Sequence, residues 1–205
     1  MFREKKSGFY VDVGAHHPKR FSNTYRFYRI GWYGINVDAM PGSMALFNKW
    51  RPRDINLELG VAQDEGAFEF TIYNEPAVNT LSDECVLARK SSTFPYRIKD
   101  VIEIEAKPLS WILDRYALDR KIDFLSVDVE GYDLDVLKSN DWQRYRPSIV
   151  LVEILHVSLE GVFENPVVKF MREQGYGLLT KIDHTAFFED LLVEKKSARG
   201  KSNTN

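Results

Sequence analysis

Cysteine is almost missing: Cys85 is the only one in 205 residues. One thiol closes no intramolecular disulfide and builds no cysteine-rich metal site. Long apolar runs are missing too, and nothing approaches the ~20 residues of a membrane-spanning helix. Met1 to Lys6 is charged and lacks the apolar centre of a secretory leader. These absences lead us to expect a cytoplasmic protein without a membrane span. An excess of one charge is also lacking, with 28 Lys and Arg against 30 Asp and Glu and a net charge of −2. Bulk electrostatics therefore favour neither nucleic acid nor an anionic membrane. Either partner would need a local patch, and Lys195 to Lys201 is the one basic cluster of note. There is no internal repeat.

A hydrophobic content of 44% with 13% aromatics fits a folded chain with a substantial core. Phe9-Tyr-Val-Asp-Val13 reads as a short buried strand running into the small pair Gly14-Ala15. Ser22-Asn-Thr24 opens a helix that Gly31 stops. Tyr33 to Val37 is a second strand, Met44 to Trp50 a helix closed by Pro52, and Ile55 to Val61 a third strand. This β-α-β-α-β order is the nucleotide-binding half of a doubly wound sheet. Gly66 to Tyr73 alternates as a half-exposed strand does, and Val101 to Ala106 alternates again. Residues 74–100 between them are irregular, with one short helix at Glu84 to Lys90, and read as an insertion or lid. Leu109 to Tyr116 is a helix, Asp123 to Val129 a strand, Asp133 to Ser139 a helix, and Ser148 to Ile154 a strand covered on both faces. Pro166 to Gly175 is a well-signalled helix. Tyr176 to Ile182 and Thr185 to Glu189 read as a closing hairpin turning at Asp183-His184. We expect one domain over residues 1–194 and a disordered polar tail over 195–205. The first strand leaves no room for a domain before it, so a ligand's cover would come from later insertions or another subunit.

A strand ending in a glycine turn is where open α/β sheets bind nucleotide-like ligands. Here Asp12 precedes the turn, and a carboxylate there repels phosphate. The fingerprint Gly-x-Gly-x-x-Gly is missing, replaced by His16, His17 and Pro18. Asp38 follows Gly14 by 24 residues, about where a ribose-binding carboxylate falls. An adenosine cofactor without phosphates fits these residues, and S-adenosyl-L-methionine is one. Further along, Asp123-Phe-Leu-Ser-Val-Asp-Val-Glu-Gly-Tyr-Asp133 puts Asp128 and Glu130 at the end of a central strand, on one face. Like charges held close raise one pKa, so the pair shares a proton, binds a cation or meets a cationic ligand. The plainer alternative is that Asp128 caps the next helix and Glu130 is solvated.

The runs VDVGAHHP, SNTY, GWYGINVDAMPG and LELGVA, and above all DFLSVDVEGYDLDVLKS, resemble the FkbM family of S-adenosylmethionine-dependent methyltransferases over about Phe9 to Glu189. The resemblance implies an α/β fold of the Rossmann-like class I methyltransferase type: a mostly parallel seven-stranded sheet, an antiparallel last strand and helices on both faces. It places Asp12, Gly14 and Ala15 beside the methionine part of the cofactor and Asp38 on the ribose. His16, Asn23, Thr24, Ala39 and Asp128 complete the expected cofactor contacts, and Asn79-Thr-Leu-Ser82 falls near the adenine or the acceptor. The sequence departs from the family at Lys107-Pro-Leu-Ser110, where Thr-Leu-Asp is frequent, and lacks the helix many relatives carry before the first strand.

The chemistry so implied is O-methylation of a hydroxyl on a sugar, glycolipid or polyketide-like acceptor, a small-molecule or glycan partner. Alignment of oxygen, methyl carbon and sulfur supplies much of the rate, and a general base adds ~10²–10⁴-fold. Candidate bases are Asp128 and Glu130, then Glu153 at the next strand's end, with His156 beside it. A second mechanism has Mg²⁺ bridging Asp128 and Glu153. One of His16 and His17 would meet the ligand, and His184 reads as a turn residue. A triad of His16, His17 and His156 on a metal has no supporting spacing. Tyr73, Phe94 and Tyr96 form either an acceptor platform or anchors for the irregular segment, and the four tryptophans read as core or interface fillers. Two alternatives stay open: an NAD-dependent Rossmann oxidoreductase or nucleotide-sugar enzyme, and a non-catalytic cofactor-binding protein. The oligomeric state is left open, with a homo-oligomer among the choices.

Overall fold

The structure, a computed structural model, describes residues 2, 5–91, 93–155, 157–158 and 160–192. His156 and the tail from Lys195 lie outside the described residues, so the readings made of them have no structural counterpart.

The chain begins β1 (Phe9–Val13), α1 (Tyr25–Arg29), β2 (Tyr33–Asp38), α2 (Met44–Trp50), β3 (Ile55–Glu58) and β4 (Gly60–Val61). Next come β5 (Gly66–Tyr73), α3 (Asp83–Ala88), β6 (Ile98–Lys107), α4 (Leu109–Tyr116), β7 (Phe124–Val127) and α5 (Asp133–Lys138). β8 (Ile149–Glu153), α6 (Pro166–Glu173), β9 (Tyr176–Ile182) and β10 (Thr185–Asp190) complete it. The main sheet runs β3-β2-β1-β7-β8-β10-β9. β1, β2, β3, β7 and β8 are parallel. β10 is antiparallel to both its neighbours. This is the Rossmann-like sheet with a reversed last strand.

Alternation along the strands assigns the two faces. Val11, Val13, Leu125, Val127, Val150 and Val152 pack against Leu109 and Leu113 of α4, Val136 and Leu137 of α5, and Val168 and Met171 of α6. Tyr10, Phe124, Ile149 and Leu151 face the other way, with Trp32 and with Phe27 and Tyr28 of α1. Trp32 and Trp142 are buried as the sequence suggests, whereas Trp50 is exposed. The closing hairpin turns at Asp183, which has a positive φ. α6 starts where Asn165 accepts a hydrogen bond from Val167 N–H ahead of Pro166.

Three elements differ from the sequence expectation. The third strand breaks at Leu59, and Gly60–Val61 crosses into a second, three-stranded sheet of order β4-β6-β5. Gly60 permits this, because a Cβ there would come within 2.9 Å of Ile104 and 3.0 Å of Ala106 Cβ. β7 ends at Val127 rather than Val129, because Glu130 and Gly131 both take positive φ and form a turn. The irregular segment is ordered: a short 3-10 turn spans Pro76–Val78, α3 follows, and paired backbone bonds join Thr71 to Thr80. Among the described residues no helix is long and apolar enough to cross a membrane.

Candidate active site

The chain leaves β1 toward β2 and β3 on one side and returns to β7 on the other. The β1–β7 junction is therefore the topological switch point, where such sheets open a crevice at the strand tips. Gly14 makes the close approach there. At φ +78°, its Cβ would lie 1.8 Å from the Asp128 carbonyl oxygen. Gly14 and Ala15 N–H both donate to Val37 O, at 2.9 and 3.1 Å, tying the turn to β2.

In front of these tips lies a cavity of about 340 Å³. Its walls include Gly14 and His16, Asp38 and Ala39, Asn79 to Leu81, and Asp128 to Glu130. A smaller space of about 210 Å³ adjoins it, lined by Asp12, Ala15, Asn23, Asp128 and Glu130 among others. Asp38 Oδ2 accepts from His16 N–H at 2.7 Å and Oδ1 from Met40 N–H at 2.9 Å. Each oxygen keeps a lone pair for a ligand hydroxyl. Burial raises the Asp38 pKa against these bonds.

Most of the candidate residues converge here, with different tasks. His16 lines both cavities. His17 instead holds the turn, its Nδ1 accepting from the N–H of Lys19 and Arg20 at 3.1 and 2.9 Å. Asn23 lines the smaller space and donates to Ser126 Oγ at 3.1 Å. Thr24 is fully buried, its hydroxyl donating to Asp12 Oδ2 at 2.6 Å and accepting from Arg51 at 2.7 Å. Arg51, unremarked in the sequence, is the centre of this network: also fully buried, it pairs with Asp54 at 2.9 Å and bonds Tyr10, Ser22 and Pro18 O. Burial lifts the Asp12 pKa, opposed by Thr24 and Arg51.

At the β7 and β8 tips, oxygens of Asp128, Glu130 and Glu153 lie within 4.8 Å of one another. The turn at Glu130 and Gly131 brings them together, not the strand alternation expected. Asp133, rather than Asp128, ties that turn, accepting from the N–H of Val129 and Gly131 at 3.2 and 3.1 Å. Thr80 clamps it from the other side by donating to Glu130 O at 2.9 Å. Arg89, just past α3, forms an ion pair with Glu130. Nothing in the local pattern marks Arg89, since it comes from the irregular segment. The Phe94 and Tyr73 rings, 5.1 and 5.6 Å from its guanidinium, pack beside it, which favours the anchoring role for these aromatics.

Burial, then Glu130 and Asp12, push Asp128 up to about 7. Burial, then Asp128 and Glu130, push Glu153 to about 9. Glu153 Oε2 is buried with no hydrogen-bond partner. Glu130 is also raised by burial, but Arg89 and His184 pull it back. His184 thus acts on the site electrostatically, which its place in a turn did not suggest. Distance alone would let the three carboxylates hold a cation. Arg89 already occupies Glu130 as a cation would, so the arrangement gives the Mg²⁺ route no support. Burial raises the Cys85 thiol pKa, the opposite of a reactive cysteine.

Fold and crevice define a doubly wound α/β protein whose switch-point crevice is lined with carboxylates and has no glycine-rich phosphate loop. The family model described as the methyltransferase FkbM domain matches residues 12–178. The chain belongs to that family, and it is a methyltransferase. No curated protein and no solved structure matches it.

Proposed function

We propose that the protein transfers the methyl group of S-adenosyl-L-methionine to a hydroxyl of a small-molecule or glycan acceptor. One observation carries this reading: the carboxyls of Asp128, Glu130 and Glu153 cluster at the strand tips beside a crevice that has carboxylates at its other tips and no phosphate cradle. Asp38 would take the ribose hydroxyls. Asn79 to Leu81 and Ala39 would border the adenine. Gly14 and Ala15 would leave room for the methionine arm beside Asp128. Asp12 and Thr24, locked to Arg51, act as supports for the β1–α1 loop.

A sulfonium is an activated methyl donor, so the protein has to align the acceptor and remove a proton. The raised Asp128–Glu153 pair suits the second task, because a base works best with a pKa near the working pH. Glu130, held by Arg89, orients that pair electrostatically. The whole domain over residues 1–194, with residues 74–91 as a wall, is part of the same proposal.

Isothermal calorimetry tests the cofactor directly. S-adenosylhomocysteine should bind and NAD should not; heat with NAD alone would favour the oxidoreductase reading. Heat with the homocysteine compound but no methyl transfer to any hydroxyl acceptor would favour the non-catalytic one.

A further inference from the structure

We propose that the outer face of α1 and α2, with the loop between β1 and α1, is a docking surface for an anionic lipid bilayer. From Val13 to Arg53 the only acidic residue is Asp38, a bias that the balanced overall charge conceals. The Arg51 guanidinium sits 5.4 Å from the rings of Tyr10, Tyr28 and Phe47, which puts both helices on the Tyr10 side of the sheet. Their outward positions Arg26, Arg29 and Lys49 are exposed. Arg53 closes the gap between the helices, with its guanidinium 4.1 Å from the Tyr28 ring and a 2.6 Å bond to Tyr28 O. Among the described residues none of these four meets a carboxylate.

Apolar groups project from the same face. Trp50 is 47% exposed, with Lys19 Nζ 3.1 Å from the centre of its ring. Phe21 is 75% exposed at φ +56°, on a loop tip with Arg20, itself paired with Glu75 at 3.7 Å, packed 4.6 Å over it. A bulky residue at positive φ is costly, and here it turns a phenyl ring into solvent. Aromatic rings flanked by Lys and Arg are the composition of interfacial binding: the rings enter the headgroup boundary and the cations meet anionic lipid. Nucleic acid is held differently, in a groove that follows its backbone with aromatic platforms for its bases.

Phe21 also borders the smaller cavity, so the surface reaches the mouth of the site. An acceptor carried on lipid would meet the carboxylates from the bilayer. That step rests on the methyl-transfer reading; the docking surface does not.

Co-sedimentation of the full chain tests the surface, using phosphatidylcholine vesicles with and without phosphatidylglycerol. The protein should pellet with the anionic vesicles alone and be released by high salt. At about fivefold in partition per basic residue, R26E/K49E should weaken binding by at least ~25-fold, with an unchanged circular dichroism spectrum. W50S should weaken it too, and K49R should not. The proposal is overturned by no pelleting at low salt, by equal pelleting with both vesicles, or by binding to single-stranded RNA without binding to vesicles. Failure of the unaltered chain to bind anionic vesicles, with its S-adenosylhomocysteine heat intact, would sink the surface and spare the proposed function.

Discussion

Carboxyl oxygens of Asp128 and Glu153 lie within 4.8 Å of each other and both groups are raised, chiefly by burial, and the consequence is kinetic. Apparent pKa values of such a pair belong to the pair, so the proposed base activity should follow its lower titration. The rate at limiting substrate should rise with pH through about 7, the value to which burial and Glu130 push Asp128. Asp128→Asn and Glu153→Gln should each lower turnover by ~10²–10⁴-fold, with the affinity for S-adenosylhomocysteine changed far less. Turnover at the parent's level in both variants would remove the pair from the reaction. Arg89 is a positioning residue by the same logic. Its charge lowers the pKa of both Glu130 and Glu153, so Arg89→Gln should move the acid limb to higher pH. Arg89→Lys keeps the charge and should restore most of the original profile. A residue with only a packing role would lower the rate without moving the limb.

Among the elements, the β1–β7 junction has the least tolerance. Gly14→Ala must push a Cβ into the Asp128 carbonyl at 1.8 Å and hold alanine at positive φ, which alone costs about 1–3 kcal/mol. Either the strand tips part and ligand affinity falls, or the thermal midpoint drops by several degrees; an alanine variant matching the parent in both would refute the contact. Such junctions explain what could be read from the chain beforehand. β1, the closing hairpin and α6 were legible because their signals are local: a buried run, a turn, and Asn165-Pro166. The places of Asp12 and Asp38 at the crevice were legible because strand tips are fixed by the sheet, whereas Glu130 reaches it through a turn that the strand reading missed. The break at Leu59 was not, since it depends on how closely Gly60 lies against Ile104, more than 40 residues away. Arg89 and Arg51 were hidden for the same reason: an arginine in an irregular stretch or at a helix end shows its partners only after the chain has folded. The basic face of α1 and α2 was hidden by averaging, because acidic residues elsewhere cancel it in the net charge.

For the whole molecule, the raised carboxyls link folding, pH and ligand. Asp128 and Asp133 move from 3.8 to about 7 and Glu153 from 4.5 to about 9. The folded state therefore binds more protons than the unfolded chain between these limits, and stability falls as pH rises. Each group costs about 1.4 kcal/mol per pH unit while it is displaced. The ligand-free protein should lose thermal midpoint from pH 5 to pH 8, opposite to ordinary acid unfolding, and Asp128→Asn should flatten that slope. A cationic ligand reverses the effect, because a nearby positive charge favours ionised carboxylates. Binding of S-adenosyl-L-methionine, with its sulfonium beside Asp128 and Glu153, should then release protons near pH 7.5 and tighten as pH rises. S-adenosylhomocysteine carries no sulfonium and should release few. Calorimetry in two buffers of different ionisation enthalpy measures the difference, and equal proton release by the two ligands would separate the sulfonium from the carboxyl pair.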